Sequence, residues 1–252
     1  LVLFELVSPL LVVLVGSFLP GASRPDPPVV EPAAVEPVDV QHPVVDLLNA
    51  DPGPATWLLC ILVAVVVAPV AEEFAYRLVL QGWLEAEERR VRRWLPEVRR
   101  LVPGLIPVVT VSTLFALRHF RTASAPIEPE VLRQQMLSAS VASLAALGLA
   151  VLVLRFGSGA TLADFGFDRK KLLGDVGLGV FLFAAVAAPI LLVQLLATEF
   201  VFPSNVAADP VPLFLLAVVL GIVYYRTHRI TPVIAIHLAL NATSLGLAWL
   251  QR

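Results

Sequence analysis

The chain has 252 residues, of which 58% are hydrophobic and only 15% are charged, and its formal net charge at pH 7 is −2. Soluble domains carry about 25% charged residues, so the composition excludes an ordinary soluble domain, and the net charge argues against a nucleic-acid partner. The mean hydropathy of +0.85 predicts an integral membrane protein instead. The single cysteine, Cys60, excludes an intrachain disulfide.

The apolar residues fall into seven segments, most of them long enough to cross a hydrocarbon core of about 30 Å as helices. No alternating pattern of a β-barrel is visible, and helices satisfy every backbone group in lipid. We therefore predict an all-α fold, a polytopic bundle of about seven transmembrane helices that forms a single membrane domain over 1–252. The segments are roughly 2–19, 56–84, 104–120, 136–155, 172–198, 211–225 and 231–250.

The stretches between the first three segments differ in composition. No basic residue precedes the segment 2–19, so we expect a spanning helix there rather than a cleavable signal peptide. Residues 21–54 are rich in Pro, Val, Asp and Glu, which predicts an extended, mostly disordered extracytoplasmic loop. The loop 85–100 mixes Glu with Arg. We predict that it continues the preceding helix and then lies at the membrane interface, with a plain solvated loop as the alternative.

Basic residues are concentrated on one side of the membrane if the seven segments alternate in direction. The loops 85–100, 155–171 and 226–230 together hold twelve Lys and Arg residues, whereas the opposite loops hold three. Cytoplasmic loops of membrane proteins carry an excess of Lys and Arg. The three basic loops are therefore predicted to face the cytoplasm.

Polar side chains interrupt three of the apolar segments at helical spacing. An ionisable group at membrane depth costs ~2.5–3.5 kcal/mol or more, so such groups are retained where they pair, line a polar cavity or do chemistry. The polar groups, with one aromatic neighbour, are Glu72, Glu73 and Arg77 in the second segment, Phe115 and His119 in the third, and His237 and Asn241 in the seventh.

The two adjacent glutamates are predicted to have different roles. Glu73 and Arg77 are four residues apart with the acid first, which favours a helical ion pair. Neighbouring residues on a helix diverge by about 100°, so Glu72 has no partner on its own helix. A lone carboxylate in an apolar setting suits a general base or acid. Pro69, just upstream, frees a backbone carbonyl and is expected to kink the helix and admit water.

The other polar groups would complete a hydrolytic site. His119 is a candidate for the second acid–base group, and Phe115, one turn earlier, would shield it. His237 and Asn241 share a helix face and offer two neutral donors toward a developing oxyanion. Each of these patterns also has a structural interpretation, because His and Asn often form interhelical hydrogen bonds in membranes.

Taken together, Glu-Glu-x-x-x-Arg, Phe-x-x-x-His and His-x-x-x-Asn resemble the motifs of the CPBP family of intramembrane glutamic proteases, which includes the CAAX prenyl endopeptidases. The resemblance covers a motif-bearing core of 56–120 and 211–245. It implies a helical membrane domain with a polar intramembrane cavity, water activated by a glutamate and a histidine, a His/Asn oxyanion hole, and no cofactor or metal. The implied catalytic residues are Glu72, Glu73, Arg77, His119, His237 and Asn241.

The order of the motifs departs from the family pattern. More than a hundred residues separate His119 from His237, and in the family these motifs are closer. The segment 161–167, Thr-Leu-Ala-Asp-Phe-Gly-Phe, resembles one usually found before the glutamate motif. Either a rearranged chain or a variant lineage would account for this order, so the order of the helices stays open while the three motifs do not depend on it.

The resemblance implies a peptide or protein substrate, with a lipidated C-terminus as one candidate, in contact with membrane lipids and without nucleic acid. We also predict that the protein lies in the plasma membrane, the inner membrane of a bacterium. Three alternatives stay open at this point. They are a non-catalytic scaffold or chaperone of the same fold, a proton-coupled transporter, and a metallopeptidase in which two His and a Glu hold zinc, although no His-Glu-x-x-His occurs.

Overall fold

The computed structural model describes residues 43–119, 128–200 and 210–250, and every regular element in these ranges is helical. The predicted segment 2–19 and most of the predicted loop 21–54 lie outside the described residues. The helices are α1 (Pro43–Ala50), α2 (Pro54–Trp94), α3 (Pro96–Arg99), α4 (Leu105–Arg118), α5 (Pro129–Gly157), α6 (Leu172–Phe200), α7 (Pro210–Thr227) and α8 (Ile230–Leu250).

Five of the described helices, α2, α5, α6, α7 and α8, are long and apolar enough to cross a membrane. Helix α4 is apolar but has only 14 residues, about 21 Å at 1.5 Å per residue, which is short of a hydrocarbon core of about 30 Å. The all-α membrane bundle predicted from the sequence is therefore confirmed. The described residues account for five spans rather than seven, because the third segment is the short α4 and the first lies outside the described ranges.

Helix α2 is much longer than its apolar segment. It has 41 residues, and its last part, Gly82–Trp94, is rich in Glu and Arg, so the predicted continuation of the helix into the loop 85–100 is observed. Leu95 is extended and Pro96 begins α3, as expected where a proline disfavours helical backbone in the residue before it. Helix α5 also begins earlier than predicted, at Pro129, because the polar residues before 136 extend the apolar helix.

Two stretches of α2, Ile61–Val67 and Phe74–Gln81, are π-helical, and they flank the turn that carries Glu72 and Glu73. A π-helical turn bonds each N–H to the carbonyl five residues earlier and often marks a functional position. The sequence analysis predicted a kink near Pro69 but not these stretches.

The glycine before α4 sets the level of α4 against α2. The Gly104 N–H donates to Glu88 Oε2 at 3.0 Å, and the two helices run antiparallel from that point. Glu72 lies 16 residues before Glu88, and His119 lies 15 residues after Gly104. The two paths therefore have nearly equal numbers of residues, and Glu72 and His119 reach the same depth, where Glu72 Oε1 lies 3.8 Å from His119 Nε2.

Gly104 has φ +80°, and a Cβ built there would lie 2.5 Å from Cε2 of the Tyr225 ring. We expect Gly104→Ala to lower the free energy of unfolding by ~2 kcal/mol or more, because left-handed backbone costs a non-glycine residue ~1–2 kcal/mol before any clash is counted. Thermal unfolding in detergent measures the effect. The control is Gly148→Ala in α5, where a Cβ meets nothing within 4 Å, and equal stability of the two variants would contradict the prediction.

Two side-chain contacts mark the opposite ends of the bundle. At one end, Asp51 before α2 pairs with Arg133 at the start of α5. Hydrogen bonds from the Thr56 hydroxyl and the Gly53 N–H hold the pKa of Asp51 below its usual value. At the other end, His228 Nδ1 between α7 and α8 lies 3.8 Å from Glu85 Oε2 on α2.

The segment 161–167 packs beside the glutamate motif in space. The Phe165 ring lies 5.9 Å from that of Phe74, which follows Glu73 directly. Gly166 has φ +76°, and a Cβ there would lie 2.7 Å from the Ile230 nitrogen at the start of α8. Although it follows the first histidine motif in the chain, this segment packs against α2 beside the glutamate motif and against the start of α8.

Candidate active site

Three helices bring five of the six predicted site residues into mutual contact. Helix α2 contributes the two glutamates and Arg77, His119 caps the end of α4, and His237 lies two turns into α8. The side chains of Glu73 and Arg77 are fully buried, and 13% of the Glu72 side chain is exposed.

The carboxylate of Glu73 is shared between two partners. Arg77 Nε donates to Glu73 Oε2 at 3.2 Å, which is the ion pair that the spacing predicts. The other oxygen, Oε1, lies 2.7 Å from His237 Nδ1 on α8. The second contact joins residues 164 positions apart and was not predicted. Glu73 therefore links the arginine of its own helix to a histidine of another.

The hydrogen bonds of the two histidines fix their tautomers in the same way. His119 Nδ1 lies 2.7 Å from the Phe115 carbonyl oxygen, which can only accept, so Nδ1 carries the hydrogen. His237 Nδ1 faces the carboxylate of Glu73 and carries a hydrogen for the same reason. In both rings, Nε2 is left to face the remaining glutamate.

Glu72 lies between these two Nε2 atoms. Its Oε1 is 3.8 Å from His119 Nε2, and its Oε2 is 3.8 Å from His237 Nε2. Both distances are too long for a direct hydrogen bond. A water molecule placed off the line between a carboxylate oxygen and an imidazole nitrogen can bond to both.

Phe115 forms an apolar wall behind the histidines. Its ring is fully buried and lies 4.5 Å from the His119 ring and 5.9 Å from the His237 ring. The Arg77 guanidinium carbon is 5.9 Å from the Phe115 centroid, within the range of a cation–π contact. Tyr76 packs edge-on against the same ring at 5.2 Å, a contact the sequence analysis missed.

Asn241 lies one turn beyond His237 and contacts the π-helical part of α2. Its Nδ2 donates to the Ala64 carbonyl at 2.8 Å. The Ala68 N–H bonds to Val63, five residues earlier, so the next donor in this register would be residue 69, a proline without an N–H. Asn241 thus donates one of its two amide hydrogens to the Ala64 carbonyl, which Pro69 leaves without a backbone donor. No hydrogen bond joins it to the described glutamates.

A small cavity of about 150 Å³ opens between α2 and α5 with Glu72 in its wall. Most of its walls are small or apolar, and Ser140 and Ser143 of α5 add two hydroxyl groups. The lining residues are Val63, Val67, Ala68, Ala71, Glu72, Arg118, Ala139, Ser140 and Ser143.

The described residues contain no group of three or more His, Cys, Asp or Glu side chains arranged to hold a metal ion. The 3.8 Å separations around Glu72 place its oxygens and the histidine nitrogens in reach of a shared water.

Sequence reasoning also missed Gln81, which is fully buried and accepts from Arg77 Nη1 at 3.4 Å. The available signal was a polar residue every four positions along α2, continuing from Arg77 toward the charged end of the helix.

The family described as type II CAAX prenyl endopeptidase Rce1-like matches residues 54–165 and 167–243, which make up most of the chain. No curated protein and no solved structure matches this chain. The matched ranges contain all three motifs and the segment 161–167, apart from Gly166. The resemblance predicted from the motifs is therefore confirmed. The chain belongs to the Rce1-like family of type II CAAX prenyl endopeptidases, and it is a CAAX-type intramembrane protease.

Proposed function

We propose that this protein is a glutamic endopeptidase of the membrane, in which Glu72 and His119 activate the hydrolytic water. One observation carries the proposal. Glu72 Oε1 faces His119 Nε2 at 3.8 Å, and the Nδ1–H bond to Phe115 leaves a lone pair on that nitrogen. Glu72 Oε1 and His119 Nε2 are both hydrogen-bond acceptors, and they face each other across a gap. A water molecule in that gap can donate to both and then lose a proton to one of them.

The proton balance of the reaction follows from this arrangement. An O–H bond of the water breaks as its oxygen forms a bond to the peptide carbonyl carbon, and Glu72 holds the proton, assisted by His119. When the C–N bond of the tetrahedral intermediate breaks, the same proton passes to the leaving nitrogen. No covalent bond between enzyme and substrate is required.

His237 and Asn241 are proposed as the groups that stabilise the oxyanion. Because His237 Nδ1–H is engaged by Glu73, His237 donates from Nε2 only as an imidazolium, and the buried carboxylate of Glu73 stabilises that cation. The spacing of the motif predicted a neutral donor, so the proposal now assigns a charged one. Asn241 would donate its second amide hydrogen, since the first is bound to Ala64.

The substrate is proposed to be a peptide or protein segment with a prenylated C-terminus. The cavity at Glu72 has mostly apolar walls and lies beside α5, of which only Leu132 and Ala150 are buried. A helix with so few buried side chains leaves a lipid-facing route to the glutamate, which suits a lipid-modified chain.

The function is tested by reconstituting the protein in liposomes with a peptide that ends in a prenylated CAAX sequence, and with the same peptide lacking the prenyl group. We expect cleavage of the prenylated peptide, detected by product mass. Equal cleavage of both peptides would retain the protease but overturn the lipid preference. Cleavage of neither would favour the scaffold or transporter alternatives.

The glutamic mechanism is separated from the metallopeptidase alternative by chelation. We expect the same activity after exhaustive dialysis against a zinc chelator, because the proposed site activates water without a metal. Activity that is lost on dialysis and restored only by zinc would assign the reaction to a metal-bound water.

We propose that the basic loops face the cytoplasm and that the protein lies in the plasma membrane, the inner membrane of a bacterium. Arg92 belongs to the basic end of α2, and Glu130 lies at the opposite end of the bundle, near the Asp51 contact of α5. In a Cys60→Ala background, we expect Arg92→Cys and Glu130→Cys to be labelled from opposite sides by a membrane-impermeant thiol reagent. The native Cys60 is fully buried. Labelling of both positions from one side would overturn this topology.

A further inference from the structure

A line of four buried polar side chains runs along one face of α2, from the site toward the charged end of the helix. Glu73, Arg77 and Gln81 are fully buried, and Glu85 is 2% exposed. Each side chain bonds to the next, four residues on. Beyond the Glu73–Arg77 pair, Arg77 Nη1 donates to Gln81 Oε1 at 3.4 Å, and Gln81 Nε2 donates to Glu85 Oε1 at 3.0 Å.

Gln81 also connects this line of side chains to α7 through a hydrogen bond. Its Nε2 donates to the Gly221 carbonyl at 2.9 Å, and a primary amide has two hydrogens, one for Glu85 and one for Gly221. The orientation of the amide is thereby fixed, with its oxygen toward Arg77. A Cβ at Gly221 would lie 3.2 Å from Gln81 Oε1 and 3.4 Å from Arg77 Nη1, so a larger residue there would require these side chains to shift by a few tenths of an ångström.

The bond from Arg77 to Gln81 restrains the guanidinium. Arg77 Nε is bound to Glu73, and Nη2 has no hydrogen-bond partner. Without Gln81, the guanidinium would keep the bond to Glu73 and the contact with the Phe115 ring. Its plane could then rotate, because nothing would hold Nη1 in place. The Glu73 carboxylate would then move with it and lose its alignment with His237 Nδ1.

We propose that Gln81 is a positioning residue of the active site. Acting through Arg77, it fixes the carboxylate of Glu73 that orients His237. The catalytic consequence rests on the proposed function, in which His237 stabilises the oxyanion, whereas the structural consequence for the His237 ring does not.

The first test is Gln81→Met, which keeps the length of the side chain and removes its hydrogen bonds. We expect kcat to fall ~10- to 100-fold, as for a displacement of about 1 Å in a catalytic group, with KM changed less than ~3-fold because Gln81 does not touch substrate. The control is Asp175→Asn, which removes the charge of a part-buried ion pair with Arg229; neither residue belongs to the line from Glu73 to Glu85. It should lose thermal stability while keeping kcat per folded molecule.

A double substitution tests the bonding pattern itself. Gln81→Glu with Glu85→Gln keeps the net charge, an acceptor for Arg77 and a hydrogen bond between positions 81 and 85, which position 85 now donates. It loses the bond to Gly221 and the Glu85 charge that faces Arg89 and His228. We expect kcat to return to within several-fold of the wild-type value. If this variant is as slow as Gln81→Met although it is folded, the bond between Arg77 and position 81 is not what matters.

The tautomer of the His237 ring can be measured independently of activity by ¹⁵N NMR of labelled histidines. The chain has four histidines, so single substitutions assign the His237 signals. At a pH high enough for the His237 ring to be neutral, we expect it to carry its proton on Nδ1 in the wild type and in Asp175→Asn, and to become a mixture of tautomers in Gln81→Met. An unchanged tautomer in folded Gln81→Met would overturn the proposal, even if no peptide were cleaved by any variant.

Discussion

Replacing Glu72 with Gln is expected to lower kcat by about 10²–10⁴-fold, the range typical of a lost general base. The amide has nearly the same shape as the carboxylate, and Glu72 has no direct hydrogen bond to either histidine, only the 3.8 Å separations. The fold should therefore be unchanged, with the loss confined to the chemical step. Single-turnover cleavage in liposomes, together with thermal unfolding in detergent, measures the two quantities separately.

The matched control is Glu87→Gln, which removes a carboxylate at the polar end of the same helix, where it pairs with Arg90. This variant should keep full activity, because surface ion pairs contribute ~0–1 kcal/mol and the pair is remote from the site. An active Glu72→Gln enzyme would mean that another group takes the proton from water.

The second large effect is expected at Glu73, whose carboxylate serves both Arg77 and His237. Glu73→Gln should lower the free energy of unfolding by ~3–5 kcal/mol, because it leaves a buried arginine without its counter-charge. Thermal unfolding and peptide cleavage are both measured. A second change, Arg77→Gln, should restore much of the stability by removing the unpaired charge.

Activity should not recover in the same double variant. A glutamine at position 73 can accept from His237 Nδ1 but cannot stabilise an imidazolium, so we expect kcat to stay ~10²–10³-fold below the wild-type value, as for a lost oxyanion donor. If activity returns with stability, Glu73 only neutralises Arg77 and has no part in the reaction.

The local part of this site could be predicted from the sequence. The Glu73–Arg77 pair, the position of Phe115 one turn before His119 and the different directions of the two adjacent glutamates all follow from helical spacing, which depends on residues within two turns. The membrane helices follow from long apolar runs. The helix starts were less accurate, as at α5, because polar residues beyond an apolar run can continue the same helix.

The long-range part could not be predicted. The contacts of Glu73 with His237, Gln81 with Gly221 and Asn241 with Ala64 join residues more than a hundred positions apart, and no periodicity within one helix specifies its neighbour. The π-helical stretches could not be predicted for a related reason. Their hydrogen bonds are shifted by one residue within a sequence that looks like an ordinary apolar helix.

The bond between Asn241 and Ala64 bears on how relatives of this chain are judged. Because Pro69 deprives Ala64 of its backbone donor, the asparagine has a folding role that is independent of peptide hydrolysis. A descendant that had lost its enzymatic activity would still be selected to retain Asn241 for as long as it retained Pro69. A change of Pro69 to a residue with an N–H would supply the missing backbone donor, and Asn241 would then no longer be needed for folding. Retention of this asparagine is therefore poor evidence that a relative is an active protease. Glu72, which makes no direct hydrogen bond to either histidine, is the residue to inspect.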